Sequence, residues 1–172
     1  TTYGESIKRS KMLANALEKL GVNAHDRVAT VAWNNSRHFE TYFAVSGMGA
    51  ILHTLNPRYS PDQLIYILNH AEDKVLIVDP TFIPLVESVQ DKLDTVQSII
   101  IASSKDAIPE NNLKNALSYD ELIQNESDEY VWPEVNEDDA VALCYTSGTT
   151  GNPKGVLYSH RSTILHAISV SG

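Results

Sequence analysis

Cysteine is nearly absent. Cys144 is the only one in 172 residues, so no disulfide can close within the chain. That argues against a disulfide-stapled extracellular scaffold and fits a reducing compartment. Basic residues are also scarce, with 13 Lys and Arg against 22 Asp and Glu and a net charge of −9. Without a basic stripe the chain is a poor partner for nucleic acid. No apolar run reaches the length of a membrane span, so no membrane anchor is visible. No basic start leads into an apolar core, so no signal peptide is visible either. The chain opens on Thr1, which leaves an upstream targeting segment open. The six histidines show no metal-ligand spacing with carboxylates, so no metal site is expected. Internal repeats and low-complexity segments are missing. What remains is an ordinary globular composition, 42% hydrophobic and 20% charged, on a chain long enough for one core.

Apolar runs alternate with helical patterns. Thr2 and Glu5 form a capping box ahead of a helix with Leu13, Ala16, Leu17 and Leu20 on one face, stopped by Gly21. Residues 27–33 read as a strand buried on both faces, the parallel-sheet pattern, with Trp33, Asn34 and later Arg58 serving core packing or loop structure. Asn35 or Ser36 starts a second helix with Phe39 and Phe43 inward, and Gly47, Gly49 and Ala50 pack closely or end it. Strands follow at 51–55, 74–79, 98–102 and 140–146. Between them lie a helix started by Ser60, Pro61 and Gln63 with Leu64, Ile65 and Leu68 buried, and another from Pro80 or Thr81 to about Leu93. A short helix is expected behind a capping box at Ser118 and Glu121, and Cys144 is expected to be buried in its strand. Residues 103–117 read as a surface excursion and 126–139 as an irregular acidic connection. Five strand–helix alternations predict a three-layer α/β fold: a doubly wound, mostly parallel sheet with helices on both faces, as a single subdomain over 1–172.

The last strand runs into residues 146–155, where Thr146, Ser147, Thr149 and Thr150 are interleaved with Gly148, Gly151 and Gly155, and Pro153 precedes Lys154. Glycines let backbone amides turn toward a ligand, hydroxyls donate short hydrogen bonds to phosphate oxygens, and a lysine supplies one mobile charge. The place is right, because ligands of such sheets bind beyond the carboxyl ends of the strands. The Walker A loop is excluded: Pro153 stands where its glycine should precede the lysine, and Gly155 follows where a serine or threonine should hold Mg²⁺. A plain Ser/Thr/Gly surface turn would not need ten such residues after a buried strand.

The run from Tyr145 to Val156, followed by Ser159, His160 and Arg161, closely resembles the AMP-binding signature of the adenylate-forming superfamily. That superfamily includes acyl-CoA synthetases, firefly luciferase and the adenylation domains of nonribosomal peptide synthetases. The resemblance extends over the opening residues 2–5, over 33–35, over 53–58 and over 69–73, where it points to medium- and long-chain fatty acyl-CoA synthetases. It implies the first subdomain of the N-terminal domain, and a reaction in which a carboxylate and ATP give an acyl adenylate before coenzyme A takes the acyl group. Fatty acid is the expected acid, an aryl or short-chain acid the runner-up. ATP and coenzyme A are the implied small-molecule substrates, Mg²⁺ the implied ion, and the cytoplasm the implied location. Thr146, Ser147, Gly148, Thr149, Thr150, Gly151 and Lys154 are the implied phosphate contacts, with Thr149, Thr150 and Lys154 closest to the chemistry. His160 is read as part of a helix cap rather than a nucleotide contact, ahead of an amphipathic helix with Ile164, Leu165 and Ile168. The superfamily's adenine and ribose segment, acidic Mg²⁺ ligand, hinge and C-terminal lysine have no counterpart in 1–172. The chain is therefore expected to be part of a longer enzyme and inactive alone. A noncatalytic nucleotide- or anion-binding module is the alternative.

Overall fold

The computed structural model describes residues 1–146 and 152–171. Six helices are present among them: α1 (Tyr3–Lys19), α2 (Ser36–Gly47), α3 (Pro61–Ala71), α4 (Ile83–Glu87), α5 (Tyr119–Ile123) and α6 (His160–Ser171). The strands are β1 (Arg27–Val31), β2 (Ile51–Thr54), β3 (Asp73–Val78), β4 (Ser98–Ile101), β5 (Leu117–Ser118), β6 (Ala140–Thr146) and β7 (Lys154–Ser159). They form one sheet in the order β5-β4-β3-β1-β2-β6-β7. The first six are parallel and β7 runs antiparallel to β6. The chain steps from β1 out to β2, returns past β1 to β3, β4 and β5, and then crosses back to lay β6 beside β2. This is the doubly wound arrangement expected from the alternation.

The three layers follow from the two-residue period of the strands. Val28, Leu52, Val75, Ile77 and Ile100 face α1, α2 and α5, joining Leu13, Leu17, Ala44 and Val45. Their neighbours Ala29, Val31, Leu76, Val78 and Ile101 face α3 and α4, joining Leu64, Ile67, Ile83 and Val86. Both sides of the central strands are thus buried, which is why those strands read as continuous apolar runs.

The helix termini behave as their sequences dictate in most places. Thr2 Oγ1 accepts from the Glu5 amide at 3.2 Å while Glu5 Oε2 accepts from the Thr2 amide at 2.7 Å. At the other end Gly21 takes φ +85°, and its amide and that of Val22 bond back to Glu18 and Leu17 at 2.8 and 2.9 Å. Ser60 and Gln63 complete a second capping box. There Leu64 and Leu68 are buried, while Ile65 is only half-buried.

Several expectations are corrected. Phe39 and Phe43 do not point inward; they are 38% and 52% exposed and pack on each other at 4.8 Å. The buried face of α2 is His38, Glu40, Thr41, Ala44 and Val45 instead. Its polar members can be buried because each finds partners. Glu40 accepts from Arg9 Nε and from the Tyr119 hydroxyl, both at 2.9 Å, and the His38 ring lies 3.1 Å from Thr30 Oγ1 and 3.2 Å from Asn34 Oδ1. The single helix expected from Pro80 to Leu93 is three short pieces, a 3₁₀ turn at Pro80–Phe82, α4, and a second 3₁₀ turn at Gln90–Lys92. Gln90 there bonds across to the backbone of Asn112 and Lys114. No capping box forms at Ser118, because its hydroxyl donates to the Ser103 carbonyl at 3.0 Å. Asp120 is drawn to Arg9 and Arg37, each at 2.7 Å, so α1, α2 and α5 are tied by one charged cluster. Trp33 is half exposed and belongs to loop structure: its ring packs on Phe82 at 5.0 Å, with Nε1 donating to Thr81 Oγ1 at 3.4 Å. Residues 126–139 are irregular as expected, and their Trp132 lies over Gly47, where an added Cβ would sit 2.6 Å from the indole. Cys144 is half-buried rather than buried.

Candidate phosphate-binding site

β6 is parallel to its sheet neighbour β2, so Thr146 stands at the carboxyl end where a phosphate site belongs. The residue opposite it is Lys154, the first of β7, and the Thr146 hydroxyl faces the Lys154 carbonyl at 3.5 Å. β6 and β7, which flank the glycine- and hydroxyl-rich run in sequence, are therefore antiparallel neighbours. The expected route from loop into helix misses β7. Ser147, Gly148, Thr149, Thr150 and Gly151 lie outside the described residues. Of the expected phosphate contacts the structure brings together Thr146 and Lys154, both exposed. Pro153 is buried just before the lysine.

The stem of the hairpin is anchored at Tyr145. Its carbonyl accepts from the Tyr59 hydroxyl at 3.0 Å, and its own hydroxyl lies 2.6 Å from His70 Nδ1 on α3. Its ring stands 5.2 Å from that of His53 and 5.9 Å, edge-on, from that of His70. His53 is held in turn by Asp73, Nδ1 to Oδ2 at 2.7 Å, with both side chains fully buried. Burial pushes the Asp73 carboxyl up, with His53 offsetting part of the effect. Burial, with the charge of Asp73, pushes the Tyr145 phenol up to about 12. Across the register lies Gly155, where a Cβ would meet Tyr145 Cζ at 3.2 Å, so only glycine leaves the ring its place without displacement. None of Tyr59, His53, His70 and Asp73 stands out in the sequence as a site residue. Their separations from Tyr145 hide the grouping.

His160 begins α6 but does not cap it. The capping oxygen is Ser159 Oγ, which accepts from the Ser162 amide at 3.2 Å. The His160 side chain lines an apolar groove of about 660 Å³ with Phe39, Phe43, Trp132 and Ile164, and its buried Nε2 has no hydrogen-bond partner among the described residues. Ile164, Leu165 and Ile168 of α6 are all more than half exposed. Among the described residues no group of three or more His, Cys, Asp or Glu could hold a metal ion. No described helix is long and apolar enough to cross a membrane.

Known proteins match both the sequence and this fold. The medium-chain-fatty-acid–CoA ligase of Ectopseudomonas oleovorans is 47% identical over 95% of the chain. The long-chain-fatty-acid–CoA ligase of Thermus thermophilus is 49% identical over 99% of it. The crystal structure of the anthranilate CoA ligase AuaEII in complex with anthranoyl-AMP superposes on 98% of the chain with a TM-score of 0.89 and 27% identity. The chain spans about 30% of the length of these relatives. The model of the family described as AMP-binding enzyme matches residues 1–171, and the chain belongs to that family.

Proposed function

We propose that this chain is the first α/β subdomain of an ATP-dependent acid–thiol ligase and supplies its phosphate-binding hairpin. In the first step a carboxylate oxygen attacks the α-phosphorus of ATP. The bond to the bridging oxygen breaks and pyrophosphate leaves with the electron pair, giving an acyl adenylate. In the second step the thiol of coenzyme A, as thiolate, attacks the acyl carbon and AMP departs. The hairpin's part belongs to the first step. Thr146 and Lys154, with Ser147, Gly148, Thr149, Thr150 and Gly151 between them, hold the β- and γ-phosphates, so that the leaving group is positioned and its growing charge neutralised. Mg²⁺ enters as the ion that accompanies the triphosphate. Among the described residues no group of three or more His, Cys, Asp or Glu would hold it.

The observation that carries this reading is the pairing of Thr146 with Lys154 at the carboxyl end of β6, in a chain matched by the AMP-binding family over residues 1–171. A fatty acid is the proposed acid, supported by the names of the two bacterial relatives. A cytoplasmic location accords with the single cysteine, Cys144. The test is calorimetric titration of pyrophosphate and of ATP into the chain and its Lys154→Ala variant. A lost charge-assisted bond should weaken pyrophosphate binding about tenfold or more. Equal affinities would remove Lys154 from the site. The chain alone should show no carboxylate-dependent exchange of pyrophosphate into ATP.

A further inference from the structure

Tyr145 is held more firmly than strand pairing requires. Three separate elements converge on it: Tyr59 from the β2–α3 connection, His70 from α3 and His53 from β2. A tyrosine in the strand next to the sheet edge could satisfy its hydroxyl with water. This one turns toward α3, and the vacancy left by Gly155 admits its ring. The His53 ring against which it packs is fixed by the fully buried Asp73. Side chains alternate along a strand, so Tyr145 and the next residue, Thr146, leave opposite faces of β6. The anchored residue thus points away from the side taken by its phosphate-binding neighbour, yet shares a peptide bond with it.

We propose that Tyr145 is a positioning residue for the phosphate-binding hairpin, with Tyr59 and His70 as the two bonds that hold it. The proposal rests on the reading that residues 146–155 bind a polyphosphate. Fixing a loop stem on ligand binding costs conformational entropy for each residue ordered. Where the stem is clamped during folding, that cost is not charged against the ligand. Tyr59 and His70 act through Tyr145 and touch no phosphate themselves.

The experiment uses the 172-residue chain, with pyrophosphate as the probe, titrated by calorimetry into wild type, Lys154→Ala, Tyr59→Phe, His70→Ala and His70→Gln. Tyr59→Phe and His70→Ala should each raise the Kd about threefold to tenfold, the range of one lost hydrogen bond. His70→Gln keeps an acceptor for the phenol and should bind close to wild type. Amide exchange at Thr146 and Lys154 should quicken in Tyr59→Phe while exchange in β1 and β3 stays as it was. Should His70→Ala fail to fold, Tyr145→Phe removes the same bond and keeps the ring. Wild-type affinity in Tyr59→Phe and in the His70 or Tyr145 variant overturns the positioning role while leaving the phosphate reading intact. A folded wild-type chain that binds no pyrophosphate overturns the phosphate reading and the proposal with it.

Discussion

Replacing Gly155 by alanine sets two calculable effects against each other. Glycine inside a strand is worse than alanine by about 0.5–1 kcal/mol, because it loses more conformational freedom on folding. Taken alone, Gly155→Ala should therefore stabilise. The new Cβ, however, would sit 3.2 Å from Leu143 Cδ1 and Tyr145 Cζ and 3.3 Å from Tyr145 Cε2. Leucine can turn aside, but the tyrosine ring is held by His70 and backed by His53. Forcing one methyl group into such a site costs about 1–3 kcal/mol. The contact should win, leaving a net loss of about 1 kcal/mol, or about 2–4 °C in Tm for a chain of this size. Gly4 is the internal control: it lies in the first turn of α1, where a Cβ meets nothing within 4 Å. Gly4→Ala should gain about 0.5–1 kcal/mol and raise Tm. Differential scanning calorimetry of both variants should show shifts of opposite sign. Pairing Gly155→Ala with Tyr145→Leu removes the obstructing ring and should erase most of the loss relative to Tyr145→Leu alone. A Gly155→Ala Tm that rises as far as that of Gly4→Ala would refute the account of the packed stem.

Two further outcomes concern the charged cluster between α1, α2 and α5. Glu40 is 1% exposed and serves both Arg9 and the Tyr119 hydroxyl, so Glu40→Ala should cost about 3 kcal/mol, the low end for breaking a buried pair since Arg9 keeps Asp120. The double variant with Tyr119→Phe should lose about 1 kcal/mol less than the sum of the single losses, measured by urea midpoints, because the stranded hydroxyl is gone. For Asp120 the bond from Arg37 holds the carboxyl below its ordinary range; partial burial opposes this and Arg9 reinforces it. With the folded value lowered, the unfolded chain binds more protons. The stabilisation is then full above the unfolded value of about 4 and is lost as pH falls through the folded one. Asp120→Asn should flatten that acid limb in urea midpoints taken between about pH 2 and 6.

The parallel sheet was legible because β1, β3 and β4 are buried on both faces and their sequences show it as near-continuous apolar runs. The cap at Thr2 and Glu5 was legible because the four residues that make it are contiguous. Most of the failures share a cause, which is a partner that local patterns do not show. Phe39 and Phe43 look like the buried face of α2 until Arg9 and Tyr119 arrive to satisfy Glu40. Ser118 looks like a cap until the Ser103 carbonyl claims its hydroxyl. β7 was missed because Lys154 and Gly155 read as the tail of a ligand loop, and only their pairing with Thr146 and Tyr145 makes them strand. Of the expected phosphate contacts, the motif named Lys154 and Thr146, which lie opposite each other. It was silent on Tyr59, His70, His53 and Asp73, whose side chains carry ordinary local patterns.

The antiparallel β7 has one more consequence, for growth of the sheet. One border is β5, only two residues long, too short to template a neighbour. The other is β7, six residues whose outer row of backbone donors and acceptors has no partner strand among the described residues, and which exposes Val156, Leu157 and Tyr158. Among the described residues β7 is thus the longer open edge of the sheet, beginning at Lys154 opposite Thr146.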